Sequence, residues 1–256
     1  MIGNTDDVIR LGPLTFWGGT GDRGFFIEAG GLEGWSDTPP TRVESLDLPQ
    51  GHGSYDAEAY YEARVVTVTG ACIATSAQEL EQQRNALVGA LRGELTIHGN
   101  YRGLKTYATG RRFGTTKFQD VTPGKRARYQ FSVRCPNPRR FGDTQHYRGA
   151  AGETVQAFHW GNFDATPVLT ITGTMPRYSI KGPRGLVYDV NAPVAAGAPH
   201  VIDLATGRLT IGGTPRYGLV TTADLWTIPP GTKVPHTLVP ASGTGTLDVA
   251  PKDTYI

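Results

Sequence analysis

Only one stretch of the chain, Ser76 to Gly93, carries a helical period; the remainder reads as short strands punctuated by turns. Ser76 with Glu79 three residues on forms a capping box, Leu80, Leu87, Val88 and Leu91 fall on one face, and Gly93 supplies a stop. The spacing predicts one amphipathic helix over about residues 76–92 that lays this face on a sheet. Elsewhere, 34 glycines and 18 prolines among 256 residues, roughly one in five against a usual one in eight, argue against a helical bundle. The expected class is mainly β.

The strands fall into two groups. Ile9 to Trp17 and Phe25 to Ala29 read as an opening hairpin-like pair, with Gly18, Gly19, Gly21 and Gly24 between them. A turn-rich segment from Gly30 to Asp56 follows, longer than a loop in a compact domain usually is, and suggests an arm at an interface. Tyr60 to Thr69 precedes the helix. Glu94 to His98, Leu104 to Phe113 and Arg126 to Arg134 follow it, the last two linked by Thr115 to Lys125 with a Pro123-Gly124 turn. Pro136, Pro138 and the polar stretch after them read as a linker. The expected organisation is a β domain with one helix over 1–143, a linker over 144–157 and a second β domain over 158–256. In that last part Pro167–Gly173, Gly185–Val190, Val201–Leu204, Arg208–Gly212, Asp224–Ile228 and Thr246–Val249 are short strands, and Thr206-Gly207 tips a hairpin. So many strands with no helix to cover them imply two sheets packed face to face.

No run approaches the roughly 18 apolar residues of a membrane helix, so no membrane insertion is expected. Met1 to Arg10, with Asp6 and Asp7, lacks the basic and apolar regions of a secretory signal, and synthesis and assembly in the cytosol are expected. Cys72 and Cys135 are too few and too far apart for a disulfide framework or a zinc site and are expected as free buried thiols.

The formal net charge of +2 conceals a segregation. Residues 1–101 sum to −8, residues 102–140 to +10, and residues 141–256 to zero. A basic run can mean nucleic-acid binding, but this one lacks an RRM, KH or helix-turn-helix signature, is matched by the acidic segment before it, and alternates with apolar residues as a strand pair would. Specific nucleic-acid binding is therefore not expected. Contacts between acidic and basic segments, within a domain or between copies, are, with Arg111, Arg112, Arg126 and Arg128 as candidate inter-subunit residues.

Catalytic signatures fail on inspection. Gly19-Thr20-Gly21-Asp22-Arg23-Gly24 spells the dinucleotide fingerprint, but Phe25-Phe26-Ile27 continues it as a strand where the motif needs a helix. The six histidines show no helical metal-pair spacing, and there is no nucleophile elbow and no P-loop. Asp6-Asp7 and Glu79 with Glu81 fit an exposed terminus and a helix's first turn. No catalytic residue, metal ligand or cofactor site is assigned, and no enzyme is expected. Trp160 and Trp226 are candidate saccharide-facing rings, although a tryptophan in a β-sandwich more often fills core or interface.

The order of elements carries more than any one motif. A strand pair, an arm containing Thr41-Arg42-Val43 and Gly51 to Gly53, a strand ending in Thr69-Gly70, one helix, and strands ending in Arg-Cys-Pro-Asn-Pro are followed by Gly161-Asn162-Phe163-Asp164-Ala165-Thr166-Pro167 and Val168 to Gly173. This resembles the distal tail (Dit-type minor tail) proteins of long-tailed phages. Their pattern is matched by Gly34 to Gly53, Arg64 to Leu91, Thr166 to Gly173 and Ile202 to Arg208, with Thr166 directly before Pro167 instead of one residue apart. The resemblance implies a structural protein of the virion's tail tip: a barrel-like N-terminal domain closing into a ring, usually of six copies, and a galectin-like C-terminal sandwich. It implies the tail tube, the hub and tape-measure proteins, and receptor-binding proteins as partners. The alternative is a module binding carbohydrate or the cell surface through the sandwich.

Overall fold

The computed structural model describes residues 7–44, 47–55 and 58–256. Met1 to Asp6, and part of the Gly30 to Asp56 segment, lie outside the described residues. The chain divides into two compact units, the first ending at Arg140 and the second spanning Phe141–Tyr255. The boundary thus falls a few residues before the one expected.

In the first unit, β1 (Val8–Leu11) and β2 (Leu14–Trp17) form a tight hairpin, and β3 (Gly24–Glu33) follows. A short ribbon of β4 (Thr41–Arg42) and β5 (Tyr60–Tyr61) comes next. Then come β6 (Arg64–Ile73), α1 (Ala77–Ala90), β7 (Glu94–Tyr101), β8 (Leu104–Thr122) and β9 (Arg126–Cys135). The expected opening pair is corrected. Gly12-Pro13 breaks Ile9 to Trp17 into two antiparallel strands, and β3 runs parallel to β2, with Phe16 opposite Phe25. No helix starts after Gly24, so the glycine-rich stretch is a turn into β3, as its sequence implied.

The strands close into a seven-stranded barrel in the order β8-β7-β1-β2-β3-β6-β9, with β9 returning to β8. Closure depends on β8, which is longer than expected because the presumed link after Thr115 continues as strand to Thr122. Its first part pairs with β7, its second with β9, and Arg111 faces Glu94 on one side and Arg134 on the other. The handover needs a close approach. A Cβ at Gly110 would lie 2.5 Å from the Arg134 carbonyl oxygen, and Gly114 adopts a left-handed φ of 71° where the β8–β9 register shifts.

Alternation sets the barrel's inside. Along β9, Ala127, Tyr129, Phe131, Val133 and Cys135 are buried while Arg126, Arg128 and Arg134 are exposed. Phe16, Phe25, Tyr129 and Phe131 cluster with several ring centroids 5.1–5.6 Å apart. The helix covers this core through Leu80, Leu87 and Leu91, each contributing roughly 1.5–3 kcal/mol by burial. Val88, expected on that face, is 47% exposed, because about 100° per residue puts it about 80° around from Leu80. Ser76 caps the helix by accepting the Glu79 N–H at 3.2 Å, and the Glu79 carboxylate accepts from Thr75 and pairs with Arg23. Those partners hold its pKa down at about 2, the Thr75 hydroxyl foremost. Cys72 and Cys135 are free and buried, and burial raises their pKa to about 12 and about 11.

β10 (Arg140–Thr144) starts at the last residue before the boundary, and the second unit goes on with β11 (Tyr147–Ala150), β12 (Thr154–Ala157), β13 (Val168–Thr174), β14 (Tyr178–Lys181), β15 (Val187–Val190), β16 (His200–Asp203) and β17 (Arg208–Ile211). It continues with β18 (Thr214–Arg216), β19 (Val220–Ala223), β20 (Val234–Pro240), β21 (Thr244–Ala250) and β22 (Lys252–Tyr255). Two sheets, β11-β21-β13-β16-β17-β18 and β12-β20-β14-β15-β19, enclose a core that draws Leu169, Ile171 and Leu247 from one and Tyr178, Tyr188 and Leu238 from the other. Residues 144–157 are thus not a linker. They supply one strand to each sheet, with Val155 reaching the core. Asp224 to Ile228 is not a strand either; β19 ends at Ala223. Among the described residues no helix is long and apolar enough to cross a membrane.

Gly99→Ala tests the barrel's packing. A Cβ there would fall 2.5 Å from the Trp35 indole, which is fully buried, so overpacking should cost about 1–3 kcal/mol and lower the midpoint of thermal unfolding.

Candidate subunit interface

The outward face of the β8–β9 ladder gathers the basic residues. On β9 the two-residue period places Arg126, Arg128 and Arg134 on one surface, and β8 adds Arg111 and Lys117 beside them, while Arg112, in register with the buried Val133, projects from the other face of the ladder. Arg111 stands directly opposite Arg134, an arrangement of like charges that is unfavourable unless something offsets it. Part of the offset is Glu94, whose carboxylate lies 3.7 Å from the Arg111 guanidinium. Arg128 donates twice to the Glu28 carboxylate of β3, at 3.0 and 2.8 Å. All four side chains are well exposed, so each pair is worth about 0–1 kcal/mol.

The four arginines assigned from sequence therefore divide. Arg111 and Arg128 already have carboxylate partners on neighbouring strands, whereas Arg112 and Arg126 are exposed and in no ion pair among the described residues. Of these two, Arg126 shares the outward face with Lys117 and Arg134, and the three leave an uncompensated positive surface on the barrel wall.

The negative counterpart is concentrated in the arm. Between Glu33 and Glu62 the sequence holds seven acidic residues and one basic residue, Arg42. The root of this arm is fixed by Arg64, which is 1% exposed. Its guanidinium donates to the carbonyls of Gly34 at 2.6 Å, Trp35 at 3.2 Å, Asp37 at 2.7 Å and Pro138 at 2.8 Å. A planar fork with five N–H donors can serve so many acceptors; an ammonium cannot match that geometry. Burial, with the Arg140 charge nearby, lowers the Arg64 pKa to about 10, so it stays charged at neutral pH. Arg140 in turn lies over the Trp35 ring, 5.6 Å from its centroid. Beyond the root, β4 and β5 form a two-stranded sheet of their own, and Val43, Tyr55 and Tyr60 are exposed.

The two tryptophans assigned to saccharide have opposite fates. Trp226 is 4% exposed, packed in the second unit's core with its indole N–H on His236 at 2.9 Å, and offers no face to a ligand. Trp160 is 70% exposed. Its ring meets Phe158 edge-on with centroids 4.9 Å apart, and its backbone N–H is held by Asp253 at 2.7 Å. Among the described residues there is no group of three His, Cys, Asp or Glu side chains placed to hold a metal ion.

Comparison with solved structures places this architecture. The SPP1 Dit (gp 19.1) protein, described as "a Paradigm of Hub Adsorption Apparatus in Gram-positive Infecting Phages", superposes with a TM-score of 0.70 at 11% identity, over 88% of this chain and 92% of that one. The chain has the Dit fold. A chain of the phage p2 baseplate in its activated conformation with Sr gives a TM-score of 0.50 at 8% identity, over 95% of this chain and 97% of that one. No family model matches the sequence, and no curated protein does.

Within the Dit fold, the residues that sequence reasoning missed are Arg64 and Trp35. An arginine at the start of an apolar β-run looks like an exposed strand end, and only the tertiary return of 34–38 and 136–138 encloses it. Arg64→Lys should leave carbonyls unpaired at the arm root, lower stability by roughly 2–4 kcal/mol, and speed proteolytic cutting within 37–62, measured by thermal unfolding and timed digestion.

Proposed function

We propose that this chain is a structural component of a phage tail tip, a distal tail protein whose first unit closes into a ring, of about six copies on the family's pattern, that joins the tail tube to the hub and carries the adsorption apparatus. The observation that carries the reading is the match to SPP1 Dit over 88% of this chain and 92% of that one, a span that draws on both units of this chain. In this reading the protein resides in the virion after assembly in the host cytoplasm, and its partners are tube, hub, tape-measure and receptor-binding proteins. It does no catalysis.

The charge distribution supports the ring. A cyclic assembly needs two different surfaces per copy that complement each other. An acidic arm and an uncompensated basic barrel wall meet that requirement, with the charges setting register and encounter more than affinity. β7 accompanies β8 only as far as Arg111 while β8 runs on to Thr122, so the β8 strand beyond 111 is available to the contact together with side chains and the β4–β5 ribbon.

A second reading, saccharide recognition by a galectin-like second unit, rests on Trp160, whose exposed, backbone-anchored ring is of the kind that stacks on sugars. Binding of the full chain to a glycan array, lost in Trp160→Ala, would support it.

The charge-reversal pair Lys117→Glu with Arg126→Glu should shift the assembly toward monomer in multi-angle light scattering while leaving the thermal midpoint within a degree or two. Arg128→Glu, which breaks an internal pair, should lower that midpoint slightly. Annuli with a central hole in negative-stain images of the unaltered protein are the expected result. A monomer at high concentration, with no annuli, would remove the ring.

A further inference from the structure

We infer that the second unit carries an acid-released clasp: buried His236 accepts the Trp226 indole N–H and so holds the segment 224–228 closed, and protonation of its ring frees it. This goes beyond the scaffold reading and does not depend on it.

The segment has little else to fix it. After β19 the chain makes one isolated bridge, Ile228 with Ala165, and Asp224 exchanges bonds with Val187. Trp226 and Ile228 are buried, and the indole lies so close over Gly182 that a Cβ there would fall 2.8 Å from the ring. The clasp is made at those two side chains. Trp226 donates its indole N–H to His236 Nε2 at 2.9 Å, and the Ile228 carbonyl is 3.0 Å from His159 Nε2.

Both tautomers are fixed by these contacts. An indole nitrogen can only donate, so His236 Nε2 is unprotonated and Nδ1 carries the proton toward the Val234 carbonyl at 2.9 Å. For His159 the roles are exchanged. Nδ1 accepts the Gly161 N–H at 3.1 Å, and Nε2–H donates to Ile228. His236 thus spends its one lone pair on the Trp226 N–H, and a second ring proton would point N–H at N–H and open that contact; His159 meets the segment through its donor nitrogen and is a fixed support.

No carboxylate is at hand to stabilise the cation. β12, in register with β20 through Val155 and His236, presents Thr154, Val155, Gln156 and Ala157. β14 carries Lys181, exposed and opposite Thr237, and the turn before β20 carries exposed Lys233. In the clasped segment Asp224 accepts from the Val187 N–H, and on the loop facing it Asp164 accepts from Thr227. Asp253 takes the Trp160 N–H and a Gln145 amide N–H. Burial accordingly lowers the His236 pKa from 6.5 to about 4. The sign follows. The unfolded or released segment takes up the proton first, so the clasp is at full strength above pH 6.5, weakens as pH falls toward 4, and changes no further below that. A gap of this size corresponds to a loss of closure on the order of 10²-fold.

Hydrogen exchange of the full chain, corrected for the intrinsic rate at each pH, tests this. Protection of the Val187, Asp224 and Ile228 amides should fall by on the order of 10²-fold between pH 6.5 and 4, relative to Phe131 in the barrel. In His236→Asn, which keeps a donor and an acceptor but does not titrate, most of that fall should vanish. The proposal is overturned if protection at those amides is flat with pH in the unaltered protein, or if the variant loses it as steeply. Should the variant not fold, a His236 ring titration by NMR in the unaltered protein decides: protonation near pH 6.5 with the three amides still protected refutes the clasp.

Discussion

Barrel closure by β8 is the constraint on which the first unit depends. One strand has to pair with β7 over 104–111 and with β9 over 111–122, and it can do so only because Gly110 admits the Arg134 carbonyl and Gly114 turns the chain. Closure is complete over 104–111, where β7 lies beside β8; beyond Arg111 β8 outruns β7 and has β9 alone of its two barrel neighbours. The handover brings Arg111 and Arg134 together on the outward face, so the closing seam and the positive surface are one place. The topology that completes the core thereby also determines where charge collects.

The arm follows from a different compromise. Burying Arg64 costs desolvation, and it is tolerated because main-chain carbonyls from two separate segments converge on its guanidinium. A hydrophobic residue in its place would fill the space but leave those carbonyls without partners. The cation therefore defines where the arm departs and returns, while the arm itself, a lone two-stranded ribbon with exposed Tyr55 and Tyr60, has little internal packing. An element so poorly packed on its own gains most when a surface of opposite charge covers it.

What was legible in the sequence was whatever depended on local chemistry. The Ser76–Glu79 cap, the Leu80–Leu87–Leu91 stripe, the alternation of β9 and the turn character of Gly19 to Gly24 are each written within a dozen residues, and each is found in the structure. Readings failed where long-range partners decided. Thr144 to Thr154 looks like a linker because it is polar and holds glycines, yet β21 and β20 recruit its flanks as strands. β20 itself was hidden by Pro235 and Pro240, which fall near its two ends and leave the middle of the ladder intact. Trp226 could not be told from Trp160 without knowing that His236, ten residues on, would accept its N–H. The charge segregation was visible at once, but not its division: Glu94 and Glu28 reach Arg111 and Arg128 only through strand register.

The two units also solve the problem of buried polarity with different residues, and this gives them different responses to acid. The first unit's buried charged groups are Arg64 and Arg140, which remain cations throughout the range in which proteins work. Among the described residues its one histidine on a barrel strand, His98, is exposed. The second unit buries His159, His200 and His236, and His200 is held like the others, with its Nδ1 at 3.0 Å from the Tyr178 hydroxyl and its pKa lowered by burial. Arginine fixes a geometry that no physiological pH can undo, whereas the His236 contact weakens as pH falls from 6.5 toward 4. A chain that builds its arm root from the first and part of its sandwich interior from the second keeps that root insensitive to acid, while the Trp226–His236 contact responds to it.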